Sequence, residues 1–304
     1  MNKLKFASVV ALFSLAATAL TGCAQSPSSN AAPTASASSK VDAKAAALLP
    51  EKYKKTGLTA GSEIPYAPME FFDENNQPIG FEVDLIAAVS EKLGVPIAFQ
   101  EQSFDALIPA LQSGKHDLAV SSMSDTVERQ KVLDFVDYFN GGASLIVNKG
   151  NTDGVTGLAS LCGKPVAAEA ASWEVDVLAS AAKDCVAAGK PEIVTKVFPS
   201  NVAAQSALRA GNVAAYLSDS QAAAYTAKVA GGGKYFDLVV DPANPNGYES
   251  GLIGVGILKA NTGLRDAVAA ALQSIFDDGT YQRLLTKWNL NSFAVASPSI
   301  NGTK

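Results

Sequence analysis

The sequence predicts an α/β protein with two comparable lobes. Strand-like and helix-like stretches alternate from about residue 80 onward, a pattern typical of α/β folds. The alternation runs once to about residue 147, then begins again near Gly154. Several of the helix-like stretches stop at a glycine, which tolerates the left-handed turn that ends a helix. The chain has 304 residues, 48% hydrophobic and 17% charged, enough for two modest cores.

In chain order, the first helix spans 82–93. Ile86, Val89 and Leu93 recur at helical spacing and Gly94 follows as the cap. A short strand, 97–99, precedes a second helix, 103–113, closed by Gly114. The strand 117–120 leads into the turn Ser121-Ser-Met-Ser-Asp-Thr-Val-Glu-Arg129, and residues 126–133 read as a short helix. Phe139-Asn-Gly-Gly142 breaks the pattern before a strand at 143–147. The second set opens with a strand at 165–168 and a helix at 172–188, ended by Gly189. Strand, helix and strand follow at 192–198, 201–210 and 213–217. A helix at 220–230 stops at the Gly231 to Gly233 run. After it come a strand at 235–240, a loop at 242–251 and a strand at 252–258. Helices at 263–276 and 280–288 close the set.

The turn at 121–129 is the first candidate for function. Ser121, Ser122 and Ser124 stand between a strand end and a helix start, where backbone N–H groups lack partners. Arg129 offers a planar fork suited to a carboxylate. The same residues also fit a capped turn with a surface arginine. Asp219 follows the strand 213–217, on the side where open α/β sheets bind ligands. By itself it reads equally as the N-cap of helix 220–230.

The N-terminus reads as a targeting segment. Lys3 and Lys5 precede an apolar stretch, 6–20, short for a membrane span. Leu20-Thr21-Gly22-Cys23 resembles a bacterial lipobox. Residues 1–22 are then a lipoprotein signal peptide and Cys23 the lipid-bearing residue of the mature protein, with several acyl chains holding it on the membrane. Residues 24–40 are mostly Ala, Ser, Pro and Asn. They suit a flexible tether, taken here as 23–49 with Cys23. An exported chain also permits a disulfide between Cys162 and Cys185. Its loop is worth about 3 kcal/mol in the chain-entropy picture. His116 sits in a turn before a strand and reads as a solvated loop residue.

Several classes are excluded. A net charge of −5 argues against nucleic-acid binding. The sequence has no phosphate-binding Gly-Lys loop, no dinucleotide fingerprint, no nucleophile elbow and no metal pair on a helix. No cofactor and no metal are expected, and the chain is read as a non-enzyme.

The spacing Ser122-x-Ser124-x-Thr126-x-x-Arg129, followed by Asp134, Phe135 and Tyr138, resembles the amino-acid-binding proteins of ABC importers, family 3 (polar amino acid) type. The likeness runs from about residue 58 to about 290. It implies a two-lobed, periplasmic-binding-protein-like (type II) fold with a ligand cleft between the lobes and two hinge crossovers. Lobe 1 would be 50–145 plus 250–292, lobe 2 would be 146–249, and 293–304 a C-terminal tail. The glycines at 141–142 and 247–251 would serve as hinges.

The resemblance also implies a ligand set. Arg129, Ser122 and Ser124 would bind the ligand carboxylate, with Ser172 from the second lobe. Asp219 would bind its ammonium. Tyr66 and Phe104 would form aromatic walls, and Glu63 would face a cationic side chain. The family usually has Gly-Thr at the start of the second-lobe helix; here the residues are Ala171, Ser172 and Trp173. Trp173 is then either an apolar lid or a packing residue. The implied protein is a monomeric extracytoplasmic lipoprotein on the outer face of the cytoplasmic membrane. It captures a polar L-amino acid, with a basic one suggested by Glu63, and delivers it to an ABC permease. Two alternatives stand beside it. One is a dehydratase-type enzyme on the same fold, since cyclohexadienyl dehydratases resemble this family and use a pocket carboxylic acid such as Glu63 or Glu174 as proton donor. The other is a ligand-sensing lipoprotein for a membrane receptor.

Overall fold

A computed structural model describes residues 41–245 and 247–304; the signal segment, Cys23 and most of the expected tether lie outside them. The described chain opens with helices α1 (Ala43–Leu48) and α2 (Glu51–Thr56) and strand β1 (Leu58–Ser62). A two-stranded hairpin, β2 (Phe71–Phe72) and β3 (Pro78–Ile79), leads into α3 (Phe81–Leu93). Then come β4 (Ile97–Glu101), α4 (Leu107–Gln112), β5 (Leu118–Ala119) and the long β6 (Leu133–Asn148). The second set is β7 (Pro165–Glu169), α5 (Glu174–Ala187), β8 (Val194–Phe198), α6 (Asn201–Arg209) and β9 (Ala215–Asp219). It continues with α7 (Ser220–Val229), β10 (Phe236–Leu238) and β11 (Tyr248–Leu258). The chain closes with α8 (Thr262–Asp277), α9 (Thr280–Trp288) and β12 (Ala294–Ile300).

The molecule is a two-lobed α/β structure of the type II periplasmic-binding-protein fold. The strands outside the β2–β3 hairpin join in one sheet, in the order β4-β1-β5-β11-β6-β9-β7-β8, with β10 and β12 also paired to β6. Parallel pairs, β1 with β4 and β5, and β7 with β8 and β9, build the two halves. The antiparallel pair β6–β11 spans both, from Leu133 opposite Leu258 to Ala143 opposite Tyr248. One core gathers Leu85, Val89, Val136, Tyr138, Val255 and Leu272 between sheet and helices α3, α8 and α9. The other half packs Leu145, Val166, Leu178, Cys185 and Leu217 beneath α5. A separate cluster with Leu208, Tyr216 and Phe236 lies beneath α6 and α7.

Five expectations are corrected. The tether does not extend to residue 49. Asp42 caps α1 through Lys44 and Ala45 N–H groups, and Ala45 and Leu49 are buried. Small alanines permit close approach to α8, so a segment poor in large apolar residues still packs. The tail at 293–304 is ordered as β12 on β6, held by Ser299 and Gly302 on Asp137 and by Asn301 on Asp134. Residues 126–133 form no α-helix. Thr126 Oγ1 accepts the Arg129 N–H, one 3₁₀ turn spans Arg129–Lys131, and the chain then extends into β6. The break at 139–142 is absent, because β11 pairs with β6 through Phe139, Asn140 and Gly141. His116 is buried, 2% exposed, against Gly61 of β1.

Cys162 and Cys185 form a disulfide, Cα atoms 5.6 Å apart, tying the segment before β7 to α5.

Candidate functional site

The cleft is built where strand ends of the two lobes meet. A cavity of about 20 Å³ is lined by Glu63, Tyr66 and Phe104, the Ser121–Ser122 turn, Glu169, Ser172, Trp173, Glu174 and the end of β9. Seven of the nine expected ligand residues line it: Glu63, Tyr66, Phe104, Ser122, Ser172, Trp173 and Asp219.

Arg129 and Ser124 stand just behind this wall. Ser124 pairs with Ile253 through a backbone bridge, and its carbonyl accepts Arg129 Nη1 at 2.8 Å. Arg129 Nη2 donates to the Ala171 carbonyl of the other lobe at 2.9 Å. The guanidinium lies over the Phe104 ring, 5.4 Å from its centre. Burial pulls the Arg129 guanidinium below its ordinary value, against the opposing pull of Glu174 and Asp219. Ala171 takes a φ of 61°, the left-handed region that favours glycine. At this position the family's usual glycine is replaced, and the carbonyl so presented is the one Arg129 bonds.

The serine turn differs from the expected row of free donors. The Ser122 N–H is taken by Glu82, at 2.9 and 3.1 Å to its two oxygens. Ser121 Oγ accepts the Glu63 N–H at 2.9 Å and donates to Glu70 at 3.1 Å. Ser122 has a φ of 46°, and its Oγ is buried with no hydrogen-bond partner among the described residues. Beneath the turn, Tyr138 donates to Glu82, which is also hydrogen-bonded to Glu70. Burial and the neighbouring Glu82 push Glu70 well up, so these two carboxyls share a proton. This buried acid pair holds the turn from below; neither acid lines the cavity.

Asp219 ends β9 and is 5% exposed. Its side chain makes no capping hydrogen bond to α7. Instead Asp219 Oδ2 accepts the Tyr66 hydroxyl at 2.9 Å, and Oδ1 accepts the Trp173 indole N–H at 3.2 Å. Trp173 is half-buried and packs on the second-lobe core as well as lining the cavity. The packing role is thus present, and the indole also lies at the cavity wall. Glu174, buried at the start of α5, hydrogen-bonds Asp219. Burial first, then Asp219, push Glu174 well above the carboxylate range.

Sequence reasoning missed Glu169 as a wall residue. It ends β7, is 7% exposed, and lies in hydrogen-bonding contact with Glu63 from the other lobe. Burial, then Glu63, push Glu169 up to about 10. Asn201, first residue of α6, donates from Nδ2 to Glu63 at 3.3 Å and to the Pro65 carbonyl at 2.9 Å. Position was the available signal, because Glu169 and Asp219 both end strands that feed the cleft. Among the described residues no group of three metal-ligating side chains converges.

This arrangement places one guanidinium and four carboxyls around one interlobe cavity. It can bind a small molecule that carries both charges, and it lies between two lobes joined through the β6–β11 pair.

The comparisons agree with that geometry. The chain is 31% identical over 261 residues to an arginine-binding protein of Corynebacterium glutamicum, covering 84% of this chain and 82% of that protein. A solved ancestral arginine-binding protein bound to arginine is 33% identical with a TM-score of 0.67, covering 76% of this chain and 97% of that one. An ancestral amino-acid-binding protein, described as a precursor of cyclohexadienyl dehydratase, is 31% identical with a TM-score of 0.66 and covers 78% and 97%. The sequence profile of one family matches residues 58–291, and the chain belongs to that family, the bacterial extracellular solute-binding proteins, family 3.

Proposed function

We infer that the protein is the extracytoplasmic binding component of an amino-acid ABC importer, and that its ligand is a basic L-amino acid, arginine first. The observation that carries this reading is a cavity between the lobes lined by Asp219 and Glu174, with the Arg129 guanidinium just behind its wall and within electrostatic reach of both. An α-amino acid presents a carboxylate and an ammonium, and buried charges need partners of opposite sign. Ser122 and Ser172 add hydroxyls on the carboxylate side, Ser124 holds Arg129, and Tyr66 and Phe104 wall the ligand chain. Similarity to arginine-binding proteins supports the choice of ligand. The lobes are taken as 50–145 plus 250–292 and 146–249.

Ligand capture is a population shift: the ligand contacts both lobes only when they are closed, so it favours the closed state. The closed form is then what an ABC permease recognises. Cys23 anchors the protein to the outer face of the membrane, and no helix among the described residues is long and apolar enough to cross it.

A thermal-shift screen against the proteinogenic amino acids plus ornithine and citrulline tests this. Ligand at 100 times Kd adds about 2.7 kcal/mol of stability. The expected result is a shift with arginine, and smaller shifts with lysine or ornithine. Shifts with neutral amino acids alone would discard the basic ligand and keep the importer role.

A second reading is favoured by one observation. Glu174 lines the cavity, and burial, then Asp219, push its carboxyl well above the carboxylate range, the direction a proton donor needs. An assay for prephenate or arogenate turnover decides it. No turnover is expected, because Glu174 is hydrogen-bonded to Asp219, which in turn accepts Trp173 and Tyr66, an arrangement suited to holding an ammonium.

A further inference from the structure

Two carboxyl pairs, not one, face the cavity. Glu174 and Asp219 meet within the second lobe, beside Tyr66, Trp173 and Arg129. Glu63 and Glu169 meet across the cleft from opposite lobes. Both members of this second pair are more than nine-tenths buried, and Glu169 Oε1 has no hydrogen-bond partner among the described residues. The groups around Glu169 are Glu63 from the loop after β1, Glu174 of α5, Tyr216 of β9 and the Asn201 backbone N–H of α6. None of these is a cation, and Arg129 is directed to Ser124 and Ala171 instead.

The charges can be matched to a ligand. An amino acid with a neutral side chain brings one anion for Arg129 and one cation for the Asp219–Glu174 pair. It leaves the Glu63–Glu169 pair with nothing to neutralise. A ligand with a second cation at the far end of its side chain completes the set. We propose that Glu169, facing Glu63 across the cleft, is a specificity-determining residue that with Glu63 clamps the cationic side chain of the bound amino acid. This rests on the amino-acid reading above and adds to it a residue and a mechanism of selection.

Closure has a protonic consequence. Without a cation between the two carboxyls, burial first and then Glu63 push Glu169 up to about 10, so it holds a proton. A guanidinium or ammonium entering between them takes over that neutralising role, and the proton passes to solvent. Binding of a basic ligand is therefore coupled to release of a proton from this pair, and binding of a neutral amide such as glutamine is not. Selection thus has a repulsive side as well: a neutral side chain must leave the acid pair protonated or unpaired.

The test is calorimetric titration of the protein with arginine, lysine and glutamine in phosphate and in Tris, whose ionisation heats differ. In the unsubstituted protein, arginine binding heat should depend on the buffer in the sense of proton release. Glu169→Gln should weaken arginine at least tenfold, change glutamine less than threefold, and bring the buffer dependence of arginine binding down to that of glutamine. Glu63→Gln should act in the same direction, and it carries the test if Glu169→Gln fails to fold. An arginine-to-glutamine preference unchanged in both variants overturns the clamp while leaving amino-acid binding intact. Tighter binding of glutamine than arginine by the unsubstituted protein does the same. No binding of any amino acid overturns the clamp together with the reading on which it rests.

Discussion

Arg129 bonds carbonyl oxygens in both lobes, at Ser124 and at Ala171, and stacks on Phe104. It is thus a bridge across the cleft, beside its proposed role as the anchor of the ligand carboxylate. Removing one partner of a buried, hydrogen-bonded charge pair costs about 3–5 kcal/mol, which is at least about a hundredfold in Kd. Arg129→Ala is expected to weaken arginine binding by that factor; a change below threefold, read by titration, would take Arg129 out of the site. Asp219→Asn tests the opposite charge. The side chain caps nothing in α7, so the variant should lose ligand affinity and keep a thermal midpoint close to that of the parent. Loss of the fold would instead return Asp219 to a structural role. These two residues were picked out through the family resemblance; their places alone, a strand-end turn and a strand C-terminus, also fit a surface arginine and an N-cap. Glu169 was not, and Glu174 was named only as a proton donor in the dehydratase alternative. An acid at the start of a helix or the end of a strand has ordinary local uses, and only the pairing of β7 with β9 brings both to one wall. The Ser122 N–H was misjudged for the same reason, since its partner Glu82 is distant in sequence and reaches it from α3.

At the scale of elements, the largest surprise is β6. Its sixteen residues include Gly141 and Gly142, which read locally as a break, yet backbone pairing with β11 carries the strand through them. Glycine weakens a strand but does not forbid it where a neighbour supplies the ladder. The C-terminal strand β12 was equally hidden, because its stability comes from long-range polar contacts on β6. Asp137 is their centre, accepting Ser299 Oγ at 2.7 Å and the Gly302 N–H at 2.9 Å. Burial raises this carboxyl to about 6 from an ordinary 3.8. Between those values the folded protein holds a proton that the unfolded chain has lost. By linkage, this group's contribution to stability falls as pH rises through that window and is least favourable above it. Asp137→Asn keeps an acceptor for both contacts and removes the charge. Its thermal midpoint should exceed the parent's at pH 8, with the gap closing toward pH 4. A gap independent of pH would show that ionisation of Asp137 does not govern the strap.

At the scale of the whole molecule, the fold class was readable because two α/β halves repeat along the chain. How the chain threads between them was not, since helix and strand periodicity says nothing of which strand crosses. The crossing strands β6 and β11 decide how the lobes move. They form one antiparallel ribbon, interrupted in register between Tyr248 and Gly251 and again at Ile253 and Gly254. Such irregularities are where a strand pair bends. Across the cleft the polar contacts described are few: Tyr66 with Asp219 and Ser218, Asn201 with Glu63 and Pro65, Glu169 with Glu63, and Arg129 with Ala171. The cavity they enclose is about 20 Å³. That is room for about one water molecule, far less than an amino acid needs. Ligand must therefore enter through a state in which these bridges are open, and the closed state must re-form around it. Two lobes joined by a flexible ribbon and a handful of hydrogen bonds, with two buried acid pairs at their junction, should exchange between these states in solution. Small-angle X-ray scattering measures the balance. The ligand-free protein is expected to show a larger radius of gyration than the protein saturated with arginine. Arg129→Ala, which removes both a bridge and a ligand anchor, should stay expanded at the same arginine concentration. A radius of gyration unchanged by arginine, at a concentration shown by titration to fill the site, would mean that the lobes do not part and that ligand reaches the cavity by another route.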